Sequence, residues 1–175
     1  MKLKFCPECG NKNTKKTMGD DADIPYCEVC KKPWFDLSYN CVLVVVTDEK
    51  GNFAFIQQDY IRTDNYYIGV AGYPNQGEPY EDTVKREVFE EIGLVVNKVQ
   101  YVRSYYFEKR DMMMLGYVAH VNHGEFKLSK EVNAAKWFGP DEAEAALPQG
   151  SIIHELYKDY CRMAGVVSVD IVGIY

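Results

Sequence analysis

Two apolar stretches, CVLVVVT and NFAFIQQD, lie between residues 41 and 59, separated by the turn-rich DEKG. Their β-branched and aromatic residues predict two antiparallel strands joined as a hairpin. YYIGVAGY predicts a strand running into a glycine-containing loop, and VQYVRSYYF, MMMLGYVAHV and AAKWFG predict further strands. The middle of the chain therefore reads as a mixed sheet. Helical spacing appears in three places. One helix is expected from about Pro79 to Ile92, with proline in its first turn and Gly93 just past its end. A short second helix follows within GPDEAEAALP. A third covers SIIHELYKDYCRM, where Ile153, Leu156, Tyr157 and Tyr160 recur on one face. The tail VVSVDIVGIY alternates apolar residues and is expected to add a strand at a sheet edge or across a dimer interface.

The amino-terminal segment follows neither period. Residues 31 to 39, KKPWFDLSY, mix charge, proline and aromatics and read as a connector, dividing the chain into 1–36 and 37–175. Four of the six cysteines, Cys6, Cys9, Cys27 and Cys30, form two C-x2-C pairs separated by 17 residues. Such knuckles set four thiolates around a Zn²⁺ ion, and so short a segment cannot bury a sufficient core without a staple. The alternative is two disulfides. A chain whose start, MKLKFCPECG, lacks the apolar core of a signal peptide is expected to be cytoplasmic, where thiols stay reduced. Four cysteine ligands leave no position for water, so the zinc is expected to be structural. Cys41 is assigned to the core and Cys161 to the third helix.

Composition adds limits. The chain has 175 residues, 47% hydrophobic and 14% aromatic, as in an ordinary globular protein. No apolar run approaches the roughly 20 residues of a membrane helix. The formal net charge of −6 argues against non-specific attachment to nucleic acid, which needs a basic footprint, so nucleic acid is not expected as a partner.

Acidity is concentrated in GYPNQGEPYEDTVKREVFEEIGL, residues 72 to 94. On a helix, Glu87, Glu90 and Glu91 occupy one arc beside the apolar arc of Val84, Val88 and Ile92. Carboxylates at i,i+3 and i,i+4 repel one another, and a hard divalent cation resolves the conflict. Mg²⁺ suits a few carboxylates plus substrate phosphates. A solvated acidic face is the plainer alternative when the arc is taken alone.

The full pattern Gly72-x5-Glu78-x7-Arg86-Glu87-Val88-x-Glu90-Glu91-x-Gly93-Leu94 resembles the Nudix box at every specified position. The resemblance implies an α/β fold, a Nudix α/β/α sandwich with a mixed sheet, preceded here by a small four-cysteine zinc ribbon. It implies Mg²⁺- or Mn²⁺-dependent hydrolysis of a nucleoside diphosphate linked to another moiety. Metal ligands would be Glu87, Glu90, Glu91 and the carbonyl of Gly72. Glu90 would hold or act as the base, Arg86 would orient it, and Glu78 would brace the loop. The ribbon and the stretch VAGYPNQGEPYEDTVKREVFEEIG are similar to the NADH pyrophosphatase group, with Tyr73 as the aromatic after the first box glycine. The chain departs from that group after the box, where SYYFEKRD replaces its S-Q-P-W-P-F-P-x-S array, and the proline-arginine pair usual after the ribbon is absent. A homodimer is expected from the resemblance.

Substrate contacts are expected among Tyr73, Arg103, Tyr105 and Tyr106, with Tyr66, Tyr67, Phe107, Arg62 and Arg110 as further candidates. His120, His123 and His154 show no metal spacing and are assigned structural or exposed positions. The lead substrate class is NADH, NAD or an ADP-ribose-like nucleotide. The rival readings are house-cleaning hydrolysis of non-standard nucleoside triphosphates and a non-catalytic zinc-ribbon regulator that binds nucleotide or nucleic acid.

Overall fold

The computed structural model describes residues 3–35, 38–58 and 66–165. Arg62 and the tail from residue 166, whose strand was expected above, lie outside the described residues. The main division of the chain falls between Tyr39 and Asn40.

The smaller, amino-terminal unit is a three-stranded antiparallel sheet in the order β1 (Thr14–Met18), β2 (Asp21–Cys27), β3 (Lys32–Pro33). Few of its side chains are buried: Cys6 and the run Pro25, Tyr26 and Cys27. That is too little apolar surface to offset the entropy of ordering the segment, so its fold depends on a cross-link of another kind.

The larger unit holds a six-stranded sheet. Its strands are β4 (Tyr39–Thr47), β5 (Phe53–Gln58), β6 (Val70–Gly72), β7 (Val96–Phe107), β8 (Met112–Val121) and β9 (Val132–Phe138). They lie in the order β7-β8-β4-β5-β9, with β6 paired to β4. Three helices, α1 (Tyr80–Ile92), α2 (Pro140–Ala146) and α3 (Ile152–Ala164), complete it.

Strand alternation in β4 divides the core in two. Cys41, Leu43 and Val45 pack with Ile153, Leu156, Tyr157 and Cys161 of α3. Val42, Val44 and Val46 pack with Val84, Val88 and Ile92 of α1. A strand buried on both faces reads as a continuous apolar run, which explains CVLVVV. The mixed sheet flanked by helices, with the four cysteines ahead of it, matches the expected fold class.

Two boundaries differ from the sequence reading. Pro79 is the N-cap of α1 rather than a residue of its first turn. Of YYIGVAGY only Val70–Gly72 is strand, because β4 offers just Val42, Leu43 and Val44 as partners there. At its other end α1 stops where Gly93 takes a left-handed φ of 74° and donates its N–H to the Phe89 carbonyl. The following carbonyls are met from elsewhere: Lys127 N–H donates to Ile92 O at 2.9 Å and Ser129 N–H to Glu91 O at 3.0 Å. These bonds tie the segment 122–131 to the end of α1. No helix among the described residues is long and apolar enough to cross a membrane.

Candidate active site and cysteine centre

Arg86 organises the acidic face of α1. Its Nε donates to Glu78 Oε1 at 2.8 Å and its Nη2 to Glu78 Oε2 at 2.9 Å, a bidentate pair. Nη2 also donates to the carbonyl of Tyr73 at 3.0 Å, while Nη1 serves both Glu87 Oε1 at 2.6 Å and Glu90 Oε2 at 3.0 Å. One guanidinium thus joins the loop after β6 to three glutamates of the box. The Arg86 bonds, with the Asn75 N–H and the Thr83 hydroxyl, hold the Glu78 carboxyl down at about 2.

Gly72 is a steric requirement. A Cβ built there would lie 2.0 Å from the Glu87 carboxyl carbon and from its Oε1, so any side chain would displace that carboxylate. Burial raises the Glu87 pKa above the usual range, partly offset by Arg86. Glu90 is exposed, and its Oε2 accepts from Arg86.

Glu91 is the deepest of the three, at 6% exposure. Gln58, itself buried on β5, donates Nε2 to Glu91 Oε1 at 3.1 Å. The other oxygen, Oε2, is buried without a hydrogen-bond partner among the described residues. Burial pushes the carboxyl up to about 8, and the nearby charges of Glu87 and Glu131 add to the rise. A buried acceptor with no donor is costly, and a cation or a bound proton resolves the cost. The donor set of hard oxygens with one unsatisfied position fits Mg²⁺ or Mn²⁺. Glu87 and Glu90 both accept from Nη1 of Arg86, which holds the two carboxylates side by side.

Gln58 and Glu131 escape sequence reasoning. Both act on Glu91 from outside the box, Gln58 by its hydrogen bond from β5 and Glu131 by its charge from the turn entering β9. Only the tie between segment 122–131 and α1 brings the latter near.

The expected substrate residues separate. Tyr73 lies beside the box, its carbonyl bound by Arg86 and its ring half exposed. Tyr105 donates its hydroxyl to Asp159 Oδ2 of α3 at 2.7 Å, and Arg103 pairs with the same oxygen at 3.5 Å while its guanidinium stacks over the Tyr105 ring. Both therefore face α3, on the opposite side of the sheet from α1. Tyr106 is exposed. The histidines sit in separate structural settings: His123 against buried Asp48 at 2.6 Å, His154 inside the α3 cap, and His120 beside Tyr160.

In the smaller unit the cysteines are unpaired by disulfides, and the Sγ atoms of Cys6, Cys9, Cys27 and Cys30 all lie within 4.8 Å of one another. Cys9 and Cys27 lie 3.5 Å apart at sulfur, and Cys6 and Cys30 3.9 Å. Tetrahedral zinc with Zn–S of about 2.3 Å places its sulfurs about 3.8 Å apart, so the quartet fits that ion. Cys30 N–H and Asn11 Nδ2 both donate to sulfur at 3.3 Å, as expected where thiolate charge is shared out.

A NUDIX domain matches residues 39–160. The NAD-capped RNA hydrolase NudC of Vibrio parahaemolyticus is 30% identical over 157 residues, 89% of this chain and 58% of that protein. The protein of the same name from Haemophilus influenzae is 30% identical over 158 residues, 87% of this chain and 58% of that one. The chain thus spans a little over half the length of these relatives. In fold, the crystal structure of a NUDIX hydrolase from Nitrosomonas europaea aligns with a TM-score of 0.70 at 18% identity, covering 93% of this chain and 94% of that one.

The names of these relatives overturn the expectation, drawn from the net charge, that nucleic acid is an improbable partner. The charge of −6 is an average over unlike parts. Residues 1–39 carry seven lysines against six acidic residues, whereas the remainder carries 13 basic against 20 acidic ones. With the box, the flanked mixed sheet and the matched profile in agreement, the chain belongs to the Nudix family.

Proposed function

We propose that this chain is a Mg²⁺- or Mn²⁺-dependent pyrophosphohydrolase that cleaves the pyrophosphate of NAD-type dinucleotides, including the NAD cap of RNA. The reading places it with the NADH pyrophosphatase group. The observation that supports it is the buried Oε2 of Glu91, without a hydrogen-bond partner among the described residues, within an intact box. A protein that only bound nucleotide would gain nothing from that costly carboxylate.

Glu91 is the principal ligand, with Glu87, Glu90 and the Gly72 carbonyl completing the protein's share. When bound, the cation polarises phosphate oxygens and lowers the pKa of its water. Gln58 fixes the Glu91 carboxylate so that Oε2 remains free. Arg86 holds Glu87 and Glu90 in reach and, through Glu78 and Tyr73, clamps the loop that carries Gly72. Glu90, exposed and hydrogen-bonded by Arg86, is the group able to take a proton from the attacking water. Tyr73 offers an exposed ring beside the box for stacking on a base, while Arg103 and Tyr105 act by joining β7 to α3. In the smaller unit the cysteine quartet holds one structural Zn²⁺.

The test compares kcat/KM for NADH, NAD, ADP-ribose, NAD-capped RNA and a set of nucleoside triphosphates under Mg²⁺ and Mn²⁺. The proposal expects the NAD-type substrates to exceed the triphosphates by at least about tenfold, a gap of about 1.4 kcal/mol in transition-state binding. Preference for triphosphates would favour the house-cleaning reading.

A further inference from the structure

The cysteine unit has a surface that its metal centre does not explain. Strand β1 lies at the edge of its sheet, and all five of its residues are exposed. Next to it is an open groove of about 490 Å³ whose lining includes Lys4, Phe5, Lys12, Asn13 and Lys15, with Asp23 as its one carboxylate. Most lysines of the unit are already engaged. Lys15 pairs with Asp23 at 3.2 Å, Lys31 with Glu28 at 3.3 Å and Lys32 with Glu8 at 2.7 Å, while Lys16 lies over the Tyr26 ring at 4.2 Å. Lys4 and Lys12 have no carboxylate partner among the described residues, and both line the groove.

An aromatic shares this groove. The Phe5 ring is 59% exposed, although nothing about a small zinc unit requires an aromatic on its surface. Two lysines without a carboxylate partner among the described residues and an open π face answer different parts of one ligand: phosphates and a base. Stacking on an aromatic in a positively charged groove is how single strands are held without sequence preference. A folded acidic protein surface would use the lysines but has no planar group for Phe5. Duplex RNA would use them too, but its bases are stacked on one another and unavailable.

We infer that the groove formed by Lys4, Phe5, Lys12 and Asn13 binds a single-stranded RNA segment. This deepens the proposed function and rests on its reading that NAD-capped RNA is a substrate. The larger unit, with its excess of acids, is poorly suited to hold a polyanion beyond the cap.

The test uses the full, zinc-loaded chain and an uncapped single-stranded oligoribonucleotide with a fluorescent label, read by anisotropy across a salt series. It requires no turnover, so a failure of the catalytic reading leaves it interpretable. Each phosphate neutralised on a single strand contributes about −0.7 to the slope of log K against log salt, so Lys4→Gln with Lys12→Gln should reduce that slope by about 1.4. Phe5→Ala should weaken binding by about tenfold. NADH hydrolysis by all these variants should match the parent chain. An unchanged slope and affinity in the double lysine variant would overturn the inference. So would an absence of binding by the parent at low salt, equal binding of the duplex, or equally strong competition by polyglutamate.

Discussion

A carboxyl group buried as deeply as Glu91 ionises only at a cost, and here the cost is visible in a pKa raised from 4.5 to about 8. Between those values the folded, metal-free chain keeps a proton that the unfolded chain has released. Stability of the metal-free protein should therefore fall as pH rises from about 4.5 to 8, and Glu91→Gln should flatten the fall, as followed by urea denaturation. A cation must displace the same proton, so Mn²⁺ affinity should climb with pH over this window. Gln58 and Gly72 act through neighbouring carboxylates. Gln58→Leu should lower Mn²⁺ affinity by about 10–100-fold, the usual effect of losing a group that orients a metal ligand, with calorimetry as the measurement. Gly72→Ala pushes a methyl group into the space of the Glu87 carboxylate and should cost about a hundredfold in kcat with little change in thermal stability.

At the level of elements, the two-faced core makes unequal demands. Leu156 on α3 is fully buried against β4, and Leu156→Ala should cost about 2–5 kcal/mol of unfolding free energy, measured by urea titration. The signals readable from sequence were those set by neighbours along the chain. The apolar run from Cys41, the DEKG turn and the glycine after Ile92 dictate their elements locally, and the ends of α1 and α3 follow closely. The box residues were equally legible because the helix itself fixes their spacing. What escaped depends on pairing between distant segments. Glu131 nears Glu91 only because Lys127 and Ser129 bind the end of α1. The direction taken by Arg103 and Tyr105 depends on register and on the irregularity between Tyr101 and Arg103 in β7, which periodicity cannot locate. The three short strands of the cysteine unit carry no alternation of their own, since few of their side chains are buried.

Across the whole molecule, the larger unit has a packed apolar core, whereas the smaller has little buried apolar surface and a cluster of four cysteines, for which we propose a structural Zn²⁺. Purified protein should carry about one zinc per chain, and Cys27→Ser should abolish amide protection in residues 3–35 while β4 and β5 retain theirs, as read by hydrogen-exchange mass spectrometry. A uniform loss of protection would show that the centre does more than hold its own segment. Charge is divided in the same way, with the acids gathered around the box and a lysine-rich segment before it, so the net value concealed the possibility of a polyanionic substrate. The central claim is that Glu91, with its buried Oε2, makes this chain a metal-dependent pyrophosphohydrolase. The most direct test is mass analysis of NADH incubated with the zinc-loaded protein and Mg²⁺, alongside folded Glu91→Gln. The account predicts NMNH and AMP from the parent chain and neither product from the variant; full activity in the variant, or intact NADH with both, would contradict it.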